Sequence, residues 1–264
     1  MGENVSYFQI NGIENNFGCK EEVCDLLDNA FEIFKDNLNS YYSEYDAKYN
    51  RKLFSAAEPK IHETKIVLDV EVNSTLTWLS LGIDESYTLS VHILDDDVFI
   101  KIFAQTYFGA RHGLETLTQL ISFEETLDSL MIINSVDIKD SPAFTYRGLL
   151  LDTARNFIPV TDIERTLDGM ASTKLNTFHW HISDTQSFPL YVESQPNMSF
   201  YGAYSVNEIY SQKDVKHLIE YARIRGIRIL PEIDAPAHVG NGFQWTSEAG
   251  LGDLIVCYNK VNVN

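Results

Sequence analysis

The sequence predicts an α/β protein in two parts: a small α+β domain over residues 1–140, then the first strands and helices of an α/β barrel over residues 141–264. Three segments of the second part point to the barrel: Arg147-Gly-Leu-Leu-Leu-Asp152-Thr-Ala-Arg155-Asn-Phe157, His179-Trp-His181-Ile-Ser-Asp184 and Pro231-Glu-Ile-Asp234-Ala-Pro-Ala-His238. Each is an apolar run that ends in a carboxylate with an Arg or His close by, and helix-like sequence separates one from the next. Barrels of this kind collect a site at the C-terminal ends of their strands in just this way. The first part has a different order, with several strands in a row between two helices.

Within residues 1–140, Val23, Leu26, Leu27, Ala30, Phe31, Phe34 and Leu38 recur at helical spacing, which predicts a helix over 19–38 with one buried face. Strands are predicted over 61–72, 87–94 and 98–106, and the polar turn Asp95-Asp96-Asp97 joins the last two as a hairpin. Three consecutive acids cannot all face one ion, so a solvated turn outweighs a metal loop there. Leu114, Leu117, Leu120 and Ile121 place an amphipathic helix over 109–121. This order predicts an antiparallel sheet covered on one side. The polar stretch Ser122 to Asp128, followed by Asp140-Ser-Pro142, reads as the passage to the second part.

From there the rhythm is strand, helix, strand, helix, strand. Strand one spans 144–152, and Thr161-Asp-Ile-Glu164 reads as a capping box for a helix that runs to about Lys174. Strand two spans 176–183. Ser211 to Asp214 opens the next helix, Gly226 ends it, and strand three spans 226–233. Right-handed crossovers between parallel strands bring the three motif-bearing ends to one rim.

With 44% apolar and 12% aromatic residues, the 264 residues can build a packed core. A formal net charge of −18 opposes binding to nucleic acid and to anionic membrane surfaces; it also suits simple solubility or an acidic compartment. No apolar run approaches the roughly 20 residues of a membrane span, and the sequence from Met1 to Val5 lacks the features of a signal peptide. Glycosylation sequons at Asn4, Asn73 and Asn197 give weak support to a secretory route. Cys19 and Cys24 are close enough to bridge a short loop, whereas Cys257 has no evident partner.

The three segments together resemble the start of the catalytic barrel of glycoside hydrolase family 20, the β-N-acetylhexosaminidases, and Pro-Glu-Ile-Asp-Ala-Pro-Ala-His is closest in form to the arthropod members. The resemblance is clear over residues 85–260 and includes Phe108-Gly-Ala-Arg-His-Gly-Leu-Glu-Thr-Leu-Thr-Gln-Leu120, similar to the helix that ends the family's small non-catalytic domain. It implies the early strands of a (β/α)8 TIM barrel. It also implies retaining hydrolysis of terminal N-acetylglucosamine or N-acetylgalactosamine from glycans or chitin oligomers, with the substrate's own acetamide acting as nucleophile.

By resemblance, Arg155 grips sugar hydroxyls, a role that its fixed fork of donors suits better than a lysine would. Its alternative is an ion pair with Asp152. Asp184 and His238 resemble the hydrogen-bonded pair that supports the catalytic acid. Many relatives carry a second carboxylate where this chain has Thr185, a departure that leaves the pair intact. Asp152 and Asp234 also end strands, and two roles suit each: contact with ligand, or holding loop amides. In a regular strand His179 and His181 point away from the face that carries Trp180 and Asp184, which predicts that they pack against the neighbouring helices. No third ligand at convincing spacing accompanies them, and the resemblance implies no metal or other cofactor.

The family's His-x-Gly-Gly-Asp-Glu motif, which holds the catalytic acid, does not occur in these 264 residues. Neither Glu124-Glu125 nor Glu232 has the expected geometry of a substitute. Family members pair the cysteine near position 257 with one beyond strand four. A fragment, splice form or truncated gene model is therefore expected, with this chain inactive or nearly so. The runner-up expectation is a non-catalytic carbohydrate-binding or interaction protein. Expected partners are N-acetylhexosamine-containing oligosaccharides or glycoconjugates, with a homodimer for the full-length form. The expected location of that form is lysosomal, cell-surface or secreted.

Overall fold

The computed structural model describes residues 5–49 and 64–255, which fall into two compact units divided after Thr145. In the first unit, strand β1 (Val5–Phe8), strand β2 (Ile13–Gly18) and helix α1 (Glu22–Tyr49) lead to strands β3 (Ile66–Val72), β4 (Tyr87–Leu94) and β5 (Asp97–Ala104). Helix α2 (Tyr107–Leu120) follows, then strands β6 (Ile121–Glu124), β7 (Ser129–Ile133) and β8 (Val136–Asp140).

The seven apolar residues predicted for one face of α1 are all buried. The helix runs well past Leu38, to Tyr49. Cys19 and Cys24 form a disulfide just ahead of and inside its first turn. Asp95 and Asp96 both take positive φ (50° and 71°), the backbone of a type I′ turn, whose twist matches the two strands of the β4–β5 hairpin.

The sheet differs from the antiparallel one expected. Its order is β2-β3-β5-β4-β8, with β2, β3 and β5 parallel and β4 antiparallel to both neighbours. Strand β2 was the missing piece: Ile-Glu-Asn-Asn-Phe-Gly has little strand propensity of its own, and its ladder to β3 decides its state. α1 lies between β2 and β3, a connection long enough for the crossover that their parallel pairing requires.

Ser122 to Asp128 is likewise a correction, because it belongs to the β6–β7 hairpin of the first unit and not to a linker. The unit extends to Thr145 because β8 completes the five-stranded sheet against β4. Ile121 begins β6 and so does not end α2. Along α2, Gly109 lies so close to the sheet that a Cβ would meet the Ser86 carbonyl oxygen at 2.3 Å.

The second unit contains β9 (Gly148–Asp152), α3 (Val160–Ser172), β10 (Thr177–Ser183), α4 (Asn197–Gly202), α5 (Gln212–Ile224) and β11 (Arg228–Ile233). The strands form a parallel sheet in the order β11-β10-β9. One face packs against α3 and α5 through Phe178, Trp180, Ile163, Leu167, Met170 and Leu218, all buried.

Ser211 and Asp214 form a reciprocal capping box on α5, and Gly226, at φ 70°, ends that helix as predicted. The capping box predicted at Thr161 is absent. Helix α3 starts two residues earlier, after Pro159, which has no side chain able to cap. Helix α4 was not foreseen. Among the described residues no helix is long and apolar enough to cross a membrane. Asn73 and Asn197 are exposed; Asn4, Cys257 and the first residues of the predicted strand from Ile61 lie outside the described residues.

Candidate active site

Parallel pairing aligns β9, β10 and β11 so that Asp152 and Glu232 flank His181 on either side. Asp152 ends β9. Its Oδ1 accepts from the backbone N–H groups of Ala154 and Arg155, both at 3.0 Å, which folds the chain back as soon as the strand stops. The turn aims the Arg155 guanidinium across the strand ends. Its Nη1 lies 2.6 Å from Asp152 Oδ2 and its Nη2 lies 2.9 Å from Asp184 Oδ2.

The same Asp184 oxygen faces His238 Nδ1 at 3.2 Å and His181 Nε2 at 3.0 Å. Asp184 itself is buried, and its other oxygen accepts from the Thr185 amide at 2.6 Å. Arg155 therefore makes the ion pair with Asp152 that was weighed for it, and a second ion pair, with Asp184. Close to half of its side chain stays exposed for a ligand (45%).

Several contacts hold this cluster from behind. Thr153 donates its amide to the His181 carbonyl oxygen at 3.0 Å and accepts from Trp180 Nε1 on its hydroxyl at 2.8 Å. The Ser187 hydroxyl donates to the Ala154 carbonyl oxygen, and the Tyr204 hydroxyl donates to that of Arg155 at 2.8 Å. On the far side, Gly240 comes so near Thr185 that an added Cβ would meet its carbonyl oxygen at 2.6 Å. The segment bearing His238, itself at a positive φ of 55°, is thereby pressed against the turn bearing Asp184.

The two strand histidines do not pack against the helices, which corrects the expectation for them. Trp180 takes that face, while His179 Nε2 lies 2.5 Å from Glu232 Oε2 and His181 Nδ1 lies 3.2 Å from the same oxygen. The pairing register shifts between His181 and Ser183. This irregularity places Asp184, an odd number of residues from His181, on the side of His181 instead of opposite it. Sequence reasoning missed His181 and Glu232 as members of the site. The available signal was the parallel register, which pairs a histidine with an acid at equivalent strand positions.

Burial works to raise the Asp184 carboxyl, but the hydrogen bonds from His181 and the Thr185 amide, with the charges of Arg155 and His238, outweigh it and hold the group below the usual carboxylate range. Asp152 is also lowered, by its bonds from Arg155 and Ala154 against a burial penalty, and Glu232 by His181 and His179 in the same manner. His181 moves up despite burial, because both ring nitrogens face carboxylates.

The three lowered carboxyls contribute stability that is full above about pH 4 and fades as the pH falls through their folded values. The raised His181 contributes stability that is full below about pH 6.5 and fades as the pH rises through its folded value. The second unit should therefore be most stable between about pH 4.5 and 6.5. Urea unfolding across pH 3 to 9 would check this, and a flat profile would contradict it.

Two triads bring one ligand atom from each residue within 4.8 Å of one another: Asp152, His181 and Asp184, and His181, Glu232 and Asp234. Both need His181, whose nitrogens are already engaged with Asp184 and Glu232. Hydrogen bonding thus accounts for the arrangement. Asp234 lies at the edge of the cluster, where its charge acts on Arg155.

Residues 144–263 match the family model described as glycosyl hydrolase family 20, catalytic domain, and residues 2–120 match the model described as beta-acetyl hexosaminidase like. The chain belongs to glycoside hydrolase family 20. This family 20 chain is 42% identical over 259 residues to a chitooligosaccharidolytic beta-N-acetylglucosaminidase of Bombyx mori, covering 98% of the chain and 41% of that relative. It is 40% identical over 241 residues to the beta-hexosaminidase subunit beta of Felis catus, covering 90% of the chain and 42% of that subunit.

A chitobiase structure from Flavobacterium johnsoniae superimposes with a TM-score of 0.66 at 28% identity, over 90% of this family 20 chain and 33% of that one. The fold is accordingly that of part of a family 20 TIM-barrel enzyme with its preceding small domain. The chain spans about two fifths of the length of the curated relatives it matches.

Proposed function

We propose that the family 20 chain supplies the sugar-gripping and acid-supporting half of a β-N-acetylhexosaminidase site, for terminal N-acetylglucosamine or N-acetylgalactosamine on glycans or chitin oligomers. The observation that carries this reading is the meeting of Arg155 and His238 on one oxygen of buried Asp184. Arg155 offers a rigid fork to adjacent sugar hydroxyls. Asp184 holds His238, and His238 in turn steadies the acid that protonates the leaving oxygen.

In family 20 the acetamide of the substrate replaces the enzyme nucleophile, so the residues required are an acid, a carboxylate that orients the acetamide, and their supports. Asp184 and His238 are proposed as supports, with Arg155 as the substrate contact. Asp152 acts by aiming Arg155 and Asp234 by adding to the field around it. Glu232 is committed to two histidines and is ill placed to act as a mobile proton donor.

General acid catalysis contributes about 10²- to 10⁴-fold, so the 264 residues alone are proposed to bind sugar with little or no turnover. A lysosomal, cell-surface or secreted setting is proposed for the protein to which this sequence belongs.

The test is calorimetric titration of the 264-residue protein with N-acetylglucosamine, beside release of nitrophenol from its 4-nitrophenyl β-glycoside. Binding is expected without rapid turnover. Arg155→Ala should weaken it by roughly 10- to 10²-fold, the loss of charge-assisted hydrogen bonds worth about 1.5–3 kcal/mol. Turnover that depends on Arg155 would show that an acid within this chain suffices. Binding indifferent to Arg155 would remove the site as proposed.

A further inference from the structure

We propose that His181 and Glu232 are positioning residues for Asp184: Glu232 fixes the His181 ring through Nδ1, and ring Nε2 pins the carboxylate oxygen on which Arg155 and His238 converge. The proposal builds on the reading of Asp184 and His238 as supports, and it concerns how that pair is set.

Oδ2 of Asp184 has three partners within 3.2 Å: Arg155, His181 and His238. The side chains of Arg155 and His238 are 45% and 48% exposed, stand on connecting segments and meet each other, Nη2 to Nδ1, at 3.1 Å. The His181 side chain is only 8% exposed and rises from the middle strand of a parallel sheet. Of the three it is the one whose place the backbone determines, so it supplies the fixed reference.

Its ring is fixed in turn. Glu232 Oε2 lies 3.2 Å from His181 Nδ1 and 2.5 Å from His179 Nε2, so one carboxylate is held between two rings on the adjacent strand. The parallel register between β10 and β11 and the shift at His181/Ser183 bring these groups together.

A ring with a carboxylate at each nitrogen is favoured with a proton on both, because a bare nitrogen would place a lone pair against a carboxylate oxygen. His181 is then an imidazolium that already neutralises Asp184. The groups facing it are Asp152 from β9, Glu232 and Asp234 from β11 and its far end, Asp184 beyond its own strand, and the cation Arg155. His238 Nδ1 meets the same Asp184 oxygen at 3.2 Å and Arg155 Nη2 at 3.1 Å, so it shares the carboxylate and is not its sole partner.

The experiment is histidine-selective ¹⁵N NMR titration of the 264-residue protein and of His181→Gln and Glu232→Gln. In the parent, both nitrogens of His181 should be protonated at pH 6. His181→Gln identifies the His181 signals by their loss. In Glu232→Gln, nearly isosteric and so the safer variant for folding, His181 should revert to a single-proton tautomer near neutral pH.

A His181 ring with one proton in the parent at pH 6, or a Glu232→Gln variant whose His181 keeps both protons at neutral pH, would overturn the proposal. A merely structural role would lower the melting temperature of Glu232→Gln and leave the two protons of His181 in place. A doubly protonated His181 that depends on Glu232, in a protein that does not bind N-acetylglucosamine, would reject the proposed function alone and leave this positioning intact.

Discussion

Replacing Trp180 with alanine is expected to destabilise the second unit by about 3–5 kcal/mol, enough to abolish its cooperative unfolding in a domain of ordinary stability. Trp180 is among the largest fully buried side chains among the described residues, at 1% exposure. It sits on the middle strand with Phe178 beside it and Tyr210 edge-on at 5.0 Å, and α3 and α5 close over both. No neighbour on a sheet of three strands can collapse into the void without breaking pairing. Its Nε1–H also holds the Thr153 hydroxyl, so the turn that aims Arg155 loses an anchor in the same step.

Hydrogen exchange of β10 amides would measure the effect within this unit alone. Trp180→Phe separates the two contributions. It restores most of the buried area and removes one hydrogen bond from the Thr153 hydroxyl, which keeps its bond with Tyr210, for an expected cost of about 0.5–1.5 kcal/mol. A loss below about 1 kcal/mol in the alanine variant would show that the core does not depend on this ring.

Asp184→Ala is the second large effect. It removes the anion on which Arg155, His181 and His238 converge, leaving His181 buried with a proton on a nitrogen that has lost its acceptor. Loss of one member of a buried pair typically costs about 3–5 kcal/mol. Half-exposed Arg155 and His238 can turn to water, so roughly 2–4 kcal/mol is expected here.

The cost should shrink as the pH rises. The Asp184 bond is one cause of the raised His181 value, so the variant can shed that proton at neutral to alkaline pH and relieve the unpaired charge. Denaturant midpoints of parent and variant at pH 5 and pH 8 give the comparison. An equal loss at both values would mean that His181 is not the group left stranded. Binding of N-acetylglucosamine should also weaken in the folded fraction, because Arg155 loses one of the two carboxylates that aim it.

Much of the site could be read from local patterns. Arg155, Asp184 and His238 lie at the ends of apolar runs, and a parallel sheet brings such ends together whatever their distance in the chain. The α1 face, the Asp95-Asp96 turn and the Ser211 cap were legible because each depends on residues within one or two turns of each other. The elements that escaped depend on partners far away. Strand β2 has a weak pattern and exists through its ladder to β3, and β6 looked like a linker until β7 paired with it.

The histidines of β10 show the division most clearly. Alternation along a strand correctly puts His179 and His181 on one face and Trp180 on the other. Which face meets the helices is settled by packing, and the bulky indole takes the apolar side. Alternation also assigns Asp184 to the side opposite His181, and the irregularity between His181 and Ser183 reverses that.

By itself the sequence determined the order of most helices and strands in the second unit, through periodicity, and the family with the three residues that meet at the strand ends, through the resemblance its short local motifs carry. Only the tertiary structure decided that Asp184 is held by His181, that Glu232 joins the network, and that the first unit has a mixed sheet. Those outcomes rest on register between strands dozens of residues apart, where the free energy of pairing and burial overrides local preference.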